Sequence, residues 1–140
     1  MWPGIRCNAG SVVDIDLGGH GLNERITPPI GALSKLKLLD LSNNQFIGPI
    51  PSSVSNLTNL SSLFLSMASN LLEGPIPREI ESLNVLEYLN LSGNKLSRPI
   101  PTHIGNLPNL RYLILAKNNL SGDIPSQINS QSIELSHNLL

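Results

Sequence analysis

Leucines recur along this chain in the order L-x-x-L-x-L, and the pattern returns at a nearly constant interval. In the copy that begins at Leu36, the leucines are followed by Asn44 and then by the pair Ile50-Pro51. Equivalent copies begin at Leu60, Leu86 and Leu110, at steps of 24, 26 and 24 residues. A period of this length indicates an array of repeated units rather than one globular core.

The same frame extends in both directions from these central copies. Upstream, an equivalent unit begins at Val12, with His20 at the asparagine position. Downstream, Ile133, Leu135 and Asn138 begin a partial copy that arrives four residues early. We therefore predict five units and a partial sixth, starting at residues 12, 36, 60, 86, 110 and about 130.

Each part of the repeat has a physical interpretation. The leucines that alternate at the end of L-x-x-L-x-L predict a short strand with one buried face. The Ile-Pro pairs exclude a helix locally and predict an extended stretch, after which the chain crosses the opposite side as a short helical turn. One asparagine follows each strand, where its carboxamide can satisfy backbone groups that lack partners, and we predict a structural role for Asn44, Asn70, Asn94, Asn118 and Asn138.

Because no unit can bury its leucine face alone, the units must stack into a solenoid. The predicted fold is an α/β repeat protein, a right-handed solenoid with a parallel β-sheet on its concave side and short helical turns on its convex side. Composition excludes the main alternatives. The chain has 40% hydrophobic residues and a net charge of −1, which argues against disorder and against binding to nucleic acid or anionic lipid. It also lacks an apolar run of about 20 residues.

The full motif, L-x-x-L-x-L-x-x-N-x-L-x-G-x-I-P, resembles the plant-specific class of leucine-rich repeats (LRRs). That class occurs in receptor-like kinases, receptor-like proteins and polygalacturonase inhibitors. The opening stretch, Trp2-Pro-Gly4-Ile5-Arg-Cys7-Asn8, resembles the end of the family's N-terminal cap. The resemblance implies that residues 1–11 are the remnant of a cap and that residues 12–140 form one LRR domain. It also implies a structural role for Cys7, whose cap partner would lie upstream.

Several positions depart from this pattern. Glu24 and Arg98 stand where the other units have the glycine before Ile-Pro. The third unit carries two additional residues, which we place as a bulge between Leu65 and Asn70. No signal peptide precedes the array, and the last unit has no capping repeat, so we expect a fragment, a truncated gene product or a short relative of a longer receptor.

Nothing in the sequence predicts catalysis. His20, His103 and His137 are far apart in the repeat frame and have no serine or cysteine partner nearby. The chain contains neither a glycine-rich phosphate loop nor a kinase signature. We expect no enzymatic activity, no cofactor and no metal site; any kinase would belong to a domain outside this chain.

The residues between the strand leucines should project from the concave face. We assign one column to Asp16, Asp40, Phe64, Asn90, Ile114 and Glu134, and a second column to Asp14, Leu38, Ser62, Tyr88, Tyr112 and Ser132. The large side chains among them predict a binding patch for a protein or peptide, formed by Leu38, Phe64, Tyr88, Tyr112 and Ile114. Scattered surface hydrophobes are the simpler alternative.

Three aspartates, Asp14, Asp16 and Asp40, form an acidic corner at the N-terminal end of this face. The corner has three alternative interpretations. It binds a basic peptide or enzyme surface, or it is a solvated rim with no binding function. A metal site is the weakest of the three. On the convex side, Arg78, Glu79 and His103 offer a competing binding surface.

Four N-x-S/T sequons begin at Asn56, Asn59, Asn90 and Asn119. The repeat consensus itself generates Asn-Leu-Ser, so each sequon is weak evidence for a glycoprotein. A glycan on Asn90 would obstruct the concave patch, and we favour Asn56 as the occupied site.

The resemblance implies a recognition scaffold, part of the ectodomain of a plant cell-surface receptor-like kinase or receptor-like protein in signalling or defence. Its expected partners are a protein or peptide ligand and a co-receptor, and its expected location is extracellular or at the plasma membrane. A secreted inhibitor similar to polygalacturonase inhibitors is the first alternative. An ice-binding protein is a weaker one, because the convex turns lack a regular flat face.

Overall fold

The computed structural model describes residues 3–60 and 64–140. Its strands are short and lie at similar positions in successive units. In chain order they are β1 (Ile5–Asn8), β2 (Ser11–Asp16), β3 (Leu38–Asp40), β4 (Ile47–Gly48), β5 (Phe64–Ser66), β6 (Leu71–Gly74), β7 (Tyr88–Asn90), β8 (Lys95–Pro99), β9 (Tyr112–Ile114), β10 (Asn119–Ser121) and β11 (Ser132–Glu134).

The strands that were predicted from the leucine pattern form one sheet. Among the described residues its order is β1-β2-β3-β5-β7-β9-β11, and every pair from β2 onward is parallel. The partial last unit joins in register, with Ile133 beside Leu113. The leucines of this sheet point into a continuous core, where Leu39, Leu89 and Leu113 are fully buried. The solenoid with a parallel concave sheet is therefore confirmed.

The asparagine after each strand joins consecutive units. Asn94 Nδ2 donates to the carbonyl of Met67 in the preceding unit, at 2.8 Å, and to that of Leu91 in its own unit, at 3.1 Å. Asn94 Oδ1 accepts from the amide of Leu72, again in the preceding unit, at 3.0 Å. The same three contacts are made by Asn44, Asn70, Asn118 and Asn138. Each of these asparagines therefore has hydrogen bonds both within its own unit and to the preceding one, and its structural role stays a prediction.

The convex side consists of short 3₁₀ helices, each begun by proline. They span Pro28–Ala32, Ser52–Asn56, Arg78–Ser82 and Thr102–Asn106. In the last three, the proline of the Ile-Pro pair is extended and its carbonyl accepts the first turn bond, as with Val54 and Pro51 at 3.0 Å. The predicted helical turns are therefore confirmed. They are 3₁₀ helices of five residues, and those that begin at Ser52 and Thr102 end four residues before the next repeat leucines, Leu60 and Leu110.

A second sheet was not predicted. β4, β6, β8 and β10 pair in the order β10-β8-β6-β4, over the segments between the asparagine and the Ile-Pro pair. The consensus glycine of these segments has a left-handed backbone, with φ of +76° at Gly48 and +80° at Gly74. Arg98 adopts the same conformation, with φ of +74°. The turn therefore keeps its shape where arginine replaces glycine.

The frame assigned to the third unit is wrong by two residues. The register partner of Leu39 and Leu89 is Leu65, and Met67 is fully buried where the neighbouring units have Leu41 and Leu91. Asn70 follows Leu65 by the same five residues that separate Asn94 from Leu89, so no bulge lies in that stretch. The two additional residues instead fall between Leu60 and Leu65, a span that includes residues 61–63 outside the described part. A run of closely spaced apolar residues permitted either frame.

The N-terminal segment pairs with the array as a β-hairpin. β1 is antiparallel to β2, with Ile5 beside Ile15, and Cys7 is exposed with a free thiol. Trp2, the first residue of the cap motif, lies outside the described residues. The boundary between a cap and the LRR domain at residues 11 and 12 stays a prediction. In the described part of the chain, the helices are too short to cross a membrane.

Candidate binding surface

Between its buried leucines, the concave sheet has two columns of residues that are aligned by the strand register. The first strand position of each unit gives the column Asp14, Leu38, Phe64, Tyr88, Tyr112 and Ser132. The third strand position gives Asp16, Asp40, Ser66, Asn90, Ile114 and Glu134. Both columns are acidic in the first unit, and the largest side chains occupy the first column in the central units. The surface therefore changes in character along the solenoid.

Two tyrosines form the centre of this surface. Tyr88 and Tyr112 are register partners on β7 and β9, and their ring centroids lie 6.0 Å apart with an interplanar angle of 45°. Tyr112 is 43% exposed, and Tyr88 is half-buried. Aromatic rings at this separation attract each other, so the pair is a preformed apolar platform.

Asn90 holds Tyr88 in place through a chain of hydrogen bonds. Asn90 Nδ2 donates to the hydroxyl of Tyr88 at 3.2 Å. Asn90 Oδ1 accepts from the backbone amide and the hydroxyl of Ser92, at 3.0 and 2.7 Å. The sequence marked Asn90 only as a sequon and as a member of a column. Its spacing of two residues from Tyr88, on the same face of one strand, was the signal for this contact.

The column assigned to Phe64 is wrong. By register, Phe64 aligns with Leu38 and Tyr88, and Ser66 takes the position assigned to Phe64 beside Asp40 and Asn90. The cause is the two-residue error in the frame of the third unit. Ser62, which was assigned to the first column, lies outside the described residues. The corrected column brings Leu38, Phe64, Tyr88 and Tyr112 onto four consecutive strands, and Ile114 lies beside Asn90 in the other column.

The acidic corner is partly neutralised. Arg6 on β1 forms an ion pair with Asp14 and also donates a hydrogen bond to it. Asp16 and Asp40 are register partners, as predicted, and Asp40 Oδ1 accepts from the amide of Ser42 at 2.8 Å. The contribution of Arg6 was missed because the hairpin that places it opposite Asp14 has no leucine pattern.

Charged residues lie in two places on this surface, beside the tyrosine pair and on the last strand of the sheet. Glu87 and Arg111 immediately precede the two tyrosines and form an ion pair at 3.3 Å. At the end of the third-position column, hydrogen bonds from the side chain and backbone of Ser136 hold the pKa of Glu134 below its ordinary value. Glu134 therefore stays ionised at neutral pH.

The structure does not bring the histidines together. His20 and His103 belong to different units on different sides of the solenoid, and His137 lies in the turn after β11. In the described part of the chain, no three histidine, cysteine, aspartate or glutamate side chains are arranged to hold a metal ion. On the convex side, Arg78 and Glu79 form an exposed ion pair at 3.6 Å.

The four sequon asparagines differ in their surroundings. Asn56 is exposed at the end of a convex 3₁₀ helix, and Asn119 is exposed on β10. Asn59 is exposed, and its Nδ2 donates to the carbonyl of Ser34 at 2.6 Å. Asn90 is half-buried and engaged by Tyr88 and Ser92. A glycan would therefore disturb the fewest contacts at Asn56 and Asn119.

Comparisons with known proteins agree with this architecture. Models of leucine-rich repeats match residues 35–57 and, as two copies, residues 84–130. The ectodomain of the receptor kinase SOBIR1 from Arabidopsis thaliana has 35% identity and a TM-score of 0.85, and the match covers 98% of this chain and 82% of that one. The class of protein that the fold defines is thus a leucine-rich-repeat ectodomain.

Two structures of ligand complexes are also similar. The ectodomain of the Arabidopsis thaliana receptor kinase GASSHO1/SCHENGEN3, in complex with CASPARIAN STRIP INTEGRITY FACTOR 2, has 42% identity and a TM-score of 0.91 over 98% of this chain and 17% of that one. The Arabidopsis receptor kinase HAESA, in complex with the peptide hormone IDA and the co-receptor SERK1, has 36% identity and a TM-score of 0.81 over 89% of this chain and 21% of that one.

The chain belongs to the plant leucine-rich-repeat receptor-like family. It spans only 6% and 8% of the length of the first curated relatives that it matches, both of them receptors of Arabidopsis thaliana. The aligned structures are ectodomains, which lie outside the kinase domain of such receptors.

Proposed function

We propose that this chain is a ligand-binding part of the ectodomain of a plant cell-surface receptor, and that it binds a peptide or protein along its concave sheet. The observation that carries the proposal is the tyrosine pair, because Tyr88 and Tyr112 present adjoining rings in the middle of the array. Rigid aromatic side chains in the centre of a surface are the usual energetic anchors of protein interfaces.

The chemistry of the two columns indicates what kind of peptide fits. An extended chain that runs across the strands passes one unit about every 4.8 Å, which is close to the rise of one to two residues. It would place apolar or aromatic residues against Leu38, Tyr88 and Tyr112, and a basic residue near Asp16 and Asp40. Arg6 already neutralises Asp14, so one positive charge on the ligand matches this end better than several.

The other expectations from the family resemblance belong to the same proposal. HAESA binds a peptide hormone together with a co-receptor, and by likeness a co-receptor is a second partner here. By likeness to these ectodomains, we place the chain outside the cell. We assign it no catalytic role, because the site consists of aromatic and amide side chains rather than acid–base pairs. We assign a glycan to Asn56, where an exposed side chain lies on the convex side.

The experiment uses a peptide selected from a random displayed library against the 140-residue chain. Its affinity is then measured for the original chain, for Tyr88→Ala and Tyr112→Ala, and for the convex control Arg78→Ala, with each fold checked by circular dichroism. We expect each tyrosine variant to lose about 2 kcal/mol of binding free energy, equivalent to about thirtyfold in Kd. The control should stay within about twofold.

Two outcomes would overturn the proposal. A selected peptide whose affinity survives both tyrosine substitutions binds elsewhere on the chain. A library that yields no binder at all contradicts peptide recognition by this part of the receptor.

A further inference from the structure

A recess outside the two concave columns lies between the N-terminal hairpin and the second unit. It has a volume of about 260 Å³ and is lined on one side by Asn8 and Ser11 of the hairpin, and on the other by Lys35, Lys37 and Asn59. A second recess of about 250 Å³ adjoins it and shares Ser11 and Lys35. The two recesses together form a groove with Lys35 at its middle.

The charge in this groove is positive and uncompensated. The ion pairs of the described residues join Arg6 to Asp14, Arg78 to Glu79 and Arg111 to Glu87, and neither lysine takes part in one. No carboxylate lines either recess. The carboxylate nearest along the neighbouring strand, Asp14, is already paired with Arg6.

The equivalent positions in later units show why this arrangement is unusual in the chain. Arg111 corresponds to Lys37, and its cation is matched by Glu87 one unit earlier. Lys37 instead has the uncharged Val13 one unit earlier, whose carbonyl accepts from the Lys37 amide. The chain as a whole has a net charge of −1, so two exposed lysines that line one recess and form no ion pair are a local feature and not a consequence of composition.

We propose that this recess binds an oxyanion group (a carboxylate, sulfate or phosphate) through Lys35 and Lys37. Lysine ammonium groups act as point charges toward such groups, and the amides of Asn8 and Asn59 and the hydroxyl of Ser11 can add neutral hydrogen bonds. The volume exceeds that of a single ion, and the groove continues past Lys35, so the group can be carried on a larger molecule.

The site also depends on the state of Asn59. This residue lines the recess and begins a sequon, and its Nδ2 donates to the carbonyl of Ser34. A glycan there would cover the lysines. The recess is therefore available only in chains that are unmodified at Asn59.

The test uses the 140-residue chain produced without glycosylation. It is titrated at low ionic strength with sodium sulfate, with an acidic oligosaccharide built from uronic acids, and with a neutral oligosaccharide, while amide NMR shifts are recorded. The variant Lys35→Gln/Lys37→Gln is compared with Lys95→Gln/Lys117→Gln. The control pair removes the same two charges from exposed positions, where Glu73 is the cross-strand partner of Lys95.

We expect both anions, and not the neutral sugar, to shift the amides of Ser11, Lys35 and Lys37. The Lys35→Gln/Lys37→Gln variant should weaken binding by about tenfold, and the control pair by less than about twofold. Tighter binding of the oligosaccharide than of sulfate identifies the ligand as an oxyanion that is part of a larger molecule, whereas equal affinities identify it as a free anion.

Equal losses in the two double variants would overturn the proposal, since they would reflect net charge alone. So would the absence of shifts with either anion. The outcome is independent of the concave site, because neither lysine belongs to its two columns, and Tyr88→Ala should leave anion binding unchanged.

Discussion

In the second to fifth units, one buried asparagine joins the unit to the one before it. Its carboxamide satisfies an amide and a carbonyl of the preceding unit, as Asn94 does for Leu72 and Met67. The Leu72 amide donates to Asn94, and the Met67 carbonyl accepts from Asn94 and also from Asn70 of its own unit. A buried polar group that loses its partner costs more than the hydrogen bond itself contributes.

We therefore expect Asn94→Ala to lower the free energy of unfolding by about 1–3 kcal/mol. The matched control is Asn84→Ala, since Asn84 is exposed and its hydrogen bonds, to Ser82 and Asn109, are made by its backbone amide and carbonyl. Its effect should be below about 0.5 kcal/mol. Urea denaturation measures both values, and equal midpoints for the two variants would contradict the asparagine's role.

The left-handed position before Ile-Pro provides a second test at the residue scale. A residue with a Cβ pays about 1–2 kcal/mol in this region, and Arg98 occupies it with φ of +74°. Arg98→Gly should raise the free energy of unfolding by about 0.5–1 kcal/mol, after the greater freedom of glycine in the unfolded chain is deducted.

The reverse change at the equivalent position, Gly74→Ala, should lower it by about 1 kcal/mol. A Cβ at Gly74 would have its nearest contact 3.9 Å away, at Pro49, so the cost comes from the backbone and not from a clash. Thermal melting of both variants measures the two shifts, and shifts of the same sign would refute the argument.

At the scale of the element, the strands and the 3₁₀ helices were predictable because each depends on a local pattern. Leucine alternation marks the strands, and Ile-Pro marks the start of the last three convex helices. The second sheet was not predictable in this way. Its strands, such as β4 and β10, are short and have no alternation of their own, and they pair because stacking of the units brings them side by side.

The third unit shows where a local pattern fails. Two frames fit the consensus equally well in this unit. In one frame, Leu60, Leu63 and Leu65 are the consensus leucines. In the frame that the structure adopts, Leu65 and Met67 point inward. Only the pairing with β3 and β7 decides between them, and pairing is not visible in a single sequence. The same two-residue error moved Phe64 to the wrong column, whereas Tyr88 and Tyr112 were placed correctly because their units have the regular spacing.

A substitution at Met67 distinguishes the two frames. Met67 is 0% exposed, so Met67→Ala should cost about 2–5 kcal/mol of unfolding free energy. Leu71→Ala is the control, because Leu71 is 40% exposed on β6 and should cost less than about 1 kcal/mol. In the frame that the sequence first indicated, Met67 lies in a surface bulge, and a small effect at Met67 would support that frame.

At the scale of the whole molecule, stacking turns positions that are 20 to 26 residues apart in sequence into continuous surfaces. The concave sheet acquires an acidic end, an apolar middle with the tyrosine pair, and an ionised Glu134 at the other end. The convex side has exposed charge pairs such as Arg78 and Glu79. The concave surface places the rings of Tyr88 and Tyr112 side by side on neighbouring strands.

The central claim is that recognition takes place on the concave face. Hydrogen–deuterium exchange of the chain with and without a library-selected peptide tests it most directly, because amides covered by the ligand exchange more slowly. We predict slower exchange in β7 and β9 and in the turns that follow them, with no change in the 3₁₀ helices Arg78–Ser82 and Thr102–Asn106. Protection confined to those two helices, with β7 and β9 unchanged, would contradict the claim.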